Sequence, residues 1–153
     1  MPRVVLSVRS VRGTLPRPVT ELAGMLGKFD GYVQSAVAGN NDTTVMESLG
    51  PAEILTPREL LDPRAEPRVV VAMRLHAALM ALEAGHYVIH LAYERKGFGA
   101  FADLGLDAYV HHFRSFTPAV VEQQVARLLD DPAERATYDL SLIHISEPTR
   151  RYA

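Results

Sequence analysis

The chain has 153 residues, of which 48% are hydrophobic and 22% charged, a composition that fits one globular domain and excludes a disordered chain. No apolar run reaches the roughly 20 residues of a membrane-spanning helix, and the N-terminus lacks the apolar core of a signal peptide. The absence of cysteine excludes disulfides and thiol catalysis and fits a cytoplasmic protein, while a net charge of -2 argues against nucleic acid as a partner.

Short apolar runs alternate with helical patterns along the chain. In chain order they predict a strand at residues 4–8, a helix at 18–28, a strand at 31–38, a helix at 42–49, a strand at 53–55, a brief helix from 57, a strand at 68–73, a helix at 75–84, a strand at 87–92, a helix at 97–104, a strand at 109–113 and a helix at 118–129. Cap signals support the helix ends: Thr56 and Glu59 form a capping-box pattern, Gly85 follows a helix, and Thr117 precedes another.

The strand at residues 68–73 reads RVVVAM, a continuous apolar run typical of a strand buried on both faces of a parallel sheet. Since strands and helices alternate throughout, the sequence predicts an α/β domain, a Rossmann-like parallel sheet with helices on both faces. Ligands of such sheets bind beyond the carboxyl ends of the strands. The polar residues that follow the strands are therefore the candidate site.

Arg74 and His76 are the sharpest candidates for chemistry. Arg74 follows the apolar strand, and His76 lies in the first turn of the next helix, where backbone N–H groups and the helix dipole favour an anion. The guanidinium can hold a carboxylate or phosphate by two hydrogen bonds, and the imidazole can transfer a proton. The alternative interpretation is a helix-start arginine beside a packed histidine.

Other polar residues follow neighbouring strands at the same predicted edge. Arg9 is a second arginine at a strand end, and Lys96, close to Tyr93, adds positive charge. Glu94 is a possible base, although a solvated loop explains Glu94 and Lys96 equally well. Asp42 ends a stretch typical of a turn and helix cap.

The remaining histidines predict no metal centre. His90 lies inside a strand and is interpreted as a packed residue. His111 and His112 are adjacent strand residues, which point to opposite faces of a sheet and so do not form a pair of zinc ligands.

Several separated motifs resemble the C-terminal half of the polysaccharide pyruvyl transferase family. They are VVVAMRLHA at residues 69–77, VIHLAYERK at 88–96, and Gly105-Leu106. That family has an apolar strand ending in Met-Arg-Leu-His, a helix, a strand ending in Tyr-x-x-Lys, and a Gly-Leu before the next strand. The resemblance covers residues 3–139, with Gly85-His86-Tyr87 in place of the family's Gly-x-Pro.

The resemblance implies an architecture, an activity and a set of site residues. Members resemble two-domain GT-B-type glycosyltransferases, and they transfer pyruvyl from phosphoenolpyruvate to a sugar of a bacterial cell-surface polysaccharide, forming a ketal and releasing phosphate. The acceptor is a sugar or lipid-linked saccharide, and no metal or other cofactor is implied. The site residues it implies are catalytic His76 and Arg74, and substrate-binding Arg9, Lys96, Tyr93 and Asp42.

Two other functions remain open at this point. One is a nucleotide-sugar glycosyltransferase domain of similar architecture, in which an acidic residue such as Glu94 would hold a ribose. The other is a truncated chain that binds an anion and catalyses nothing.

The end of the chain breaks the pattern of the domain. Residues 141–151 read SLIHISEPTRR, which resembles translated sequencing-adapter DNA; the alternative is a natural disordered tail. We therefore expect a domain at residues 1–139 and a non-native tail at 140–153. Since the resemblance is to one half of a two-domain enzyme, we expect the N-terminal domain to be missing and the fragment to be inactive alone.

Overall fold

The computed structural model describes residues 3–33 and 42–146 of the chain. Within these ranges, six strands form one sheet in which all neighbours are parallel. They are β1 (Val4–Ser7), β2 (Asp30–Tyr32), β3 (Ile54–Leu55), β4 (Val69–Ala72), β5 (Tyr87–Ala92) and β6 (Val110–His112), in the order β3-β2-β1-β4-β5-β6. The predicted α/β domain with a parallel sheet is confirmed.

The helices of the described ranges connect or follow these strands. They are α1 (Arg17–Leu26), α2 (Asp42–Ser48), α3 (Pro57–Leu61), α4 (Leu75–Glu83), α5 (Arg95–Asp103), α6 (Pro118–Asp130) and α7 (Pro132–Ser146), with a 3-10 helix at Asp107–Tyr109. No helix of these ranges is long and apolar enough to cross a membrane.

The predicted start of the last strand is wrong, because the Tyr109 N–H donates to the Leu106 carbonyl in the 3-10 turn. The second strand begins one residue early, and residues 34–38 of its predicted range lie outside the described residues.

Both faces of the sheet are covered. Every residue of β1 and β4 is buried, and so are the last five residues of β5. Because successive strand residues point to opposite faces, this burial requires a layer on each side. The step from β1 to β2 runs toward one edge of the sheet, and the step from β4 to β5 runs toward the other edge. Because such crossovers are right-handed, α1 and α4 lie on opposite faces of the sheet. α6 packs against α1, and α4 packs against β4 and β5.

Local signals explain where two of the helices begin and end. The Thr56 hydroxyl accepts from the Glu59 N–H while the Glu59 carboxylate accepts from the Thr56 N–H, so the predicted capping box is confirmed. After α4, Gly85 has a φ of 97° and the next N–H bonds back to Ala81, the Schellman arrangement that favours glycine. Thr117 lies at the N-cap position of α6, as predicted, although its hydroxyl makes no capping hydrogen bond.

Helix α7 is joined to the sheet by Tyr138. β6 pairs only with the last three residues of β5, and the buried Tyr138 hydroxyl takes the place of a strand partner at Val88. It accepts from the Val88 N–H at 2.8 Å and donates to the Val88 carbonyl at 2.7 Å. α7 continues past residue 139, and Leu142 packs against the core. The non-native origin of residues 140–153 stays a prediction, and residues 147–153 lie outside the described residues.

Candidate functional site

Arg9 and Arg74 lie at corresponding positions just beyond the ends of the two central strands, β1 and β4. The strand order reverses between β1 and β4, and in open α/β sheets ligands bind in the crevice beyond the strand ends at such a switch point. Ser7 pairs with Ala72, and the Met73 N–H bonds to the Ser7 carbonyl at 2.8 Å. Two residues farther along each strand, Arg9 and Arg74 therefore face the same crevice edge. The structure brings together two arginines that the sequence placed only at a common rim.

Asp42 holds the loops of this crevice together. It is the first residue of α2 and is 2% exposed. One carboxylate oxygen accepts from the Ser10 N–H at 3.0 Å, and the other accepts from Nη2 of Arg74 at 2.7 Å. Both of these bonds are to protein groups, so Asp42 orients Arg74 and fixes the chain after β1. The resemblance implies a substrate-binding role for Asp42, whereas its geometry is that of a positioning residue.

Tyr93 ties Arg9 to the next strand of the sheet. Its hydroxyl accepts a hydrogen bond from Nη1 of Arg9 at 2.7 Å, and Cζ of Arg9 lies 4.8 Å from the centre of its ring. The ring packs edge-on against Phe113 at 5.8 Å. Arg9 and Tyr93 form one pair, Asp42 and Arg74 form another, and the bond from the Ser10 N–H to Asp42 links the two beyond the ends of β1, β4 and β5. We call these four residues the switch-point site.

The two arginines keep hydrogen-bonding capacity that the protein does not use. Nε of Arg9 and Nε of Arg74 are buried and have no acceptor among the described residues. Native proteins leave few buried donors without a partner, because each costs about 1–3 kcal/mol. This pair of unsatisfied donors at a strand-end crevice calls for an anionic ligand or a small movement of the guanidinium groups.

His76 lies in the first turn of α4, two residues after Arg74, and is exposed. Arg74 is the N-cap residue of that helix, without a side-chain capping bond. The imidazole makes no hydrogen bond within the described residues and is accessible from solvent. His76 therefore has the exposure that exchange of a proton with a ligand requires.

A small cavity adjoins the switch-point site on the β5 side. Its volume is about 140 Å³, and its lining residues are Leu75, His90, Tyr93, Glu94, Lys96 and Gly97. We call it the His90 cavity. It brings together Tyr93 and Lys96, for both of which the resemblance implies substrate binding, and Tyr93 belongs to both sites. Arg74 and His76 do not line it.

The sequence predicts the burial of His90 but not the cavity that this residue lines. It is buried, as predicted, and its ring packs against Phe101 at 5.3 Å between ring centres. Its Nδ1 lies 2.9 Å from the Ala72 carbonyl oxygen. Burial lowers the pKa of His90, although the bond to Ala72 acts in the opposite direction. The signal in the sequence is Gly97, whose missing side chain gives the imidazole its room.

His111, His112 and a second cavity carry no comparable arrangement. His111 bonds to the Gln124 side chain at 2.7 Å while His112 is exposed, and no described cluster of three or more His, Cys, Asp or Glu residues could hold a metal ion. A larger cavity of about 370 Å³ lies at the opposite end of the strands. Two of the arginines that line it are engaged, since Arg68 pairs with Asp30 and Arg135 donates to backbone carbonyls.

Comparison with known proteins adds no assignment to this geometry. The chain matches no family model, no curated protein and no solved structure. The switch-point site and the His90 cavity beside it are therefore the features from which function is inferred.

Proposed function

We propose that the chain is the C-terminal half of a GT-B-type pyruvyl transferase, which binds phosphoenolpyruvate at the switch-point site and transfers its pyruvyl group to a sugar. The observation that carries the proposal is that Arg9 and Arg74 each lie two residues beyond the paired Ser7 and Ala72, at the reversal of strand order. Phosphoenolpyruvate has two anionic groups on adjacent parts of a small molecule. Two neighbouring guanidinium groups suit such a ligand, because each can bind a carboxylate or phosphate by paired hydrogen bonds.

The local charges support a small anion. Asp42 takes up part of the charge of Arg74 at 2.7 Å, while Arg9 bonds only to the neutral Tyr93 hydroxyl among the described residues. A ligand carboxylate or phosphate would supply acceptors to donors that are now unpaired. The N-terminus of α4 beside Arg74 adds to the positive potential.

In the proposed reaction, His76 supplies the proton that phosphoenolpyruvate takes up at C3. Protonation of that carbon creates a cationic centre at C2, which a sugar hydroxyl attacks. The phosphate then leaves, a second hydroxyl closes the ketal, and its proton restores His76. An exposed imidazole in the first turn of a helix suits this role, because a ligand can reach it and an imidazole can act as a general acid.

A nucleotide-sugar glycosyltransferase is the second candidate, because the strand order is that of nucleotide-binding folds. The loop after β1 differs from that of dinucleotide-binding folds. That loop reads Arg9-Ser10-Val11-Arg12-Gly13 and lacks the G-x-G-x-x-G pattern that lets a pyrophosphate approach the backbone. An arginine stands where a dinucleotide site would need glycine.

The binding test is calorimetric titration of phosphoenolpyruvate into the chain and into two variants, Arg9→Lys and Arg74→Lys. Lysine keeps the charge and removes the paired hydrogen bonds, so we expect Kd to rise at least about tenfold in each. Arg64→Lys is the matched control, since Arg64 pairs with Asp62 on the surface. Absence of binding, or equal binding in all variants, would contradict the proposal.

The activity test measures phosphate released from phosphoenolpyruvate with and without a sugar acceptor. It is made on this chain and on the longer protein read from the upstream coding sequence. Release should require the acceptor, and His76→Ala should lower the rate by at least ~10². Transfer from a nucleotide sugar would favour the second candidate, and binding without turnover by either protein would favour an inactive anion-binding chain.

A further inference from the structure

The His90 cavity places an uncharged proton acceptor next to the switch-point site. A carbonyl oxygen can only accept, so the contact between Nδ1 of His90 and the Ala72 carbonyl puts the ring proton on Nδ1. Nε2 then carries a lone pair. It has no hydrogen-bond partner within the described residues, although His90 is only 1% exposed.

Gly97 shows which way this nitrogen points. A Cβ atom at Gly97 would clash with Nε2 of His90 and would lie 2.9 Å from Cβ of Ala92. Nε2 of His90 therefore faces Gly97 in the first turn of α5. Both residues line the cavity. An alanine at this position would close the approach to the nitrogen.

Burial keeps this acceptor available near neutral pH. Desolvation lowers the pKa of His90, because the charged imidazolium is disfavoured in a buried position. The neutral ring is also the form that the bond to Ala72 accommodates without change.

We propose that the His90 cavity is a hydroxyl-binding subsite in which Nε2 of His90 accepts a hydrogen bond from a sugar hydroxyl. The cavity has about 140 Å³, the volume of about four or five water molecules, which admits the diol edge of a sugar ring and is small for a nucleotide. The charged residues of its lining, Glu94 and Lys96, are exposed and can bond to further hydroxyls. Tyr93 joins this subsite to Arg9.

A catalytic consequence rests on the proposed function. As the hydroxyl oxygen bonds to C2 of phosphoenolpyruvate, its proton moves to Nε2 of His90. When the bond between C2 and the phosphate oxygen breaks, that proton goes to the departing phosphate. The two hydroxyl protons are thereby balanced, one on the phosphate and one, through His76, on the new methyl group.

The test follows the ¹⁵N resonances of His90 by NMR while methyl glucoside is added to the full chain. The Nε2 resonance should start at the position of an unprotonated nitrogen and shift on binding, whereas 2-methoxytetrahydropyran, which has no hydroxyl, should leave it unchanged. Absence of a shift with the glucoside would overturn the subsite.

Two variants separate the acceptor from its structural role. His90→Asn retains a donor for the Ala72 carbonyl and lacks the outer nitrogen, so we expect Kd for methyl glucoside to rise about tenfold with the fold retained. Gly97→Ala should abolish binding, and Gly99→Ala, on the same helix with nothing within 4 Å of its Cβ position, should not. Wild-type binding by His90→Asn would overturn the inference even if Gly97→Ala did not fold.

Phosphoenolpyruvate titrated into the same samples distinguishes the two proposals. Binding of phosphoenolpyruvate without a sugar-dependent shift of Nε2 would overturn the subsite alone. A sugar-dependent shift without binding of phosphoenolpyruvate would support the subsite and contradict the proposed function.

Discussion

Asp42 and Arg74 form an ion pair of 2.7 Å in which the carboxylate is 2% exposed and the guanidinium 26% exposed. The same carboxylate accepts from the Ser10 backbone, so a single side chain joins the loops that follow β1 and β4 to the start of α2. The orientation of Arg74 in the crevice therefore depends on a residue 32 positions earlier in the chain.

Asp42→Asn should lower the free energy of unfolding by about 2–3 kcal/mol. The amide retains an acceptor but loses the charge, and it leaves the partly buried guanidinium of Arg74 without an anion. Urea unfolding followed by circular dichroism measures the loss. Asp62→Asn removes the carboxylate of an exposed pair with Arg64 and is the control, for which we expect little change. Equal effects of the two substitutions would show that burial of the Asp42 pair is unimportant.

Tyr93→Phe tests how Arg9 is held. The substitution removes the hydroxyl that accepts from Arg9 and keeps the ring over which the guanidinium lies. We expect a rise of several-fold in Kd for phosphoenolpyruvate, and a larger rise for Tyr93→Leu, which also removes the cation–π contact worth about 0.5–1 kcal/mol. Calorimetry gives both values. If the two variants bind alike, the ring does not contribute to the placement of Arg9.

Stability should fall as the pH drops below about 6.5, because burial lowers the pKa of both His86 and His90 in the folded state. Above the unfolded-state pKa both rings are neutral in either state and contribute no slope. At pH values below the unfolded-state pKa, the unfolded chain binds protons on these two histidines and the folded chain does not. The free energy of unfolding therefore falls with pH, and it stops falling only below the folded-state pKa values. The steepest slope that two such groups give is about 2.7 kcal/mol per pH unit.

The geometry of His86 explains its share of this effect. Nδ1 of His86 accepts from the Arg68 N–H at 2.9 Å, which leaves Nε2 to donate to the Leu60 carbonyl. A proton on Nδ1 would break the first bond. Urea unfolding at pH values on both sides of the ordinary histidine pKa of about 6.5 should show a shallower slope in His86→Gln than in the wild type. An equally steep slope in His86→Gln would assign the effect to other groups.

Much of the fold follows from local sequence signals. The apolar run at residues 69–72 forms a strand buried on both faces, and the capping box at Thr56 and the glycine at Gly85 mark helix ends at the predicted positions. These features depend on neighbours within a few residues, so a single sequence contains them. The hydroxyl of Thr117 shows the limit, because a residue of the right type at an N-cap position makes no bond there.

The sequence predicts the site as a set of residues and not as an arrangement. Strand ends can be located from the sequence, but the register that sets Arg9 opposite Arg74 depends on pairing between strands more than 60 residues apart. The bond between Arg9 and Tyr93 spans 84 residues, and no local pattern reports it. From the sequence, His90 is interpreted as a packed residue, because the apolar pattern of a buried strand does not reveal a cavity beside that strand. The structure shows that His90 lines such a cavity.

Tyr138→Phe should lower the free energy of unfolding by about 2–4 kcal/mol. The substitution leaves both the N–H and the carbonyl of Val88 without their hydroxyl partner, and each unsatisfied buried group costs about 1–3 kcal/mol. Hydrogen exchange at the Val88 amide should quicken in step with the loss. Tyr87→Phe is the matched control, because it removes an exposed hydrogen bond from β5 to Asp139, which lies on α7 like Tyr138. We expect it to change the free energy of unfolding little. If Tyr138→Phe unfolds like the wild type, α7 is held by its apolar contacts and not by this bridge to β5.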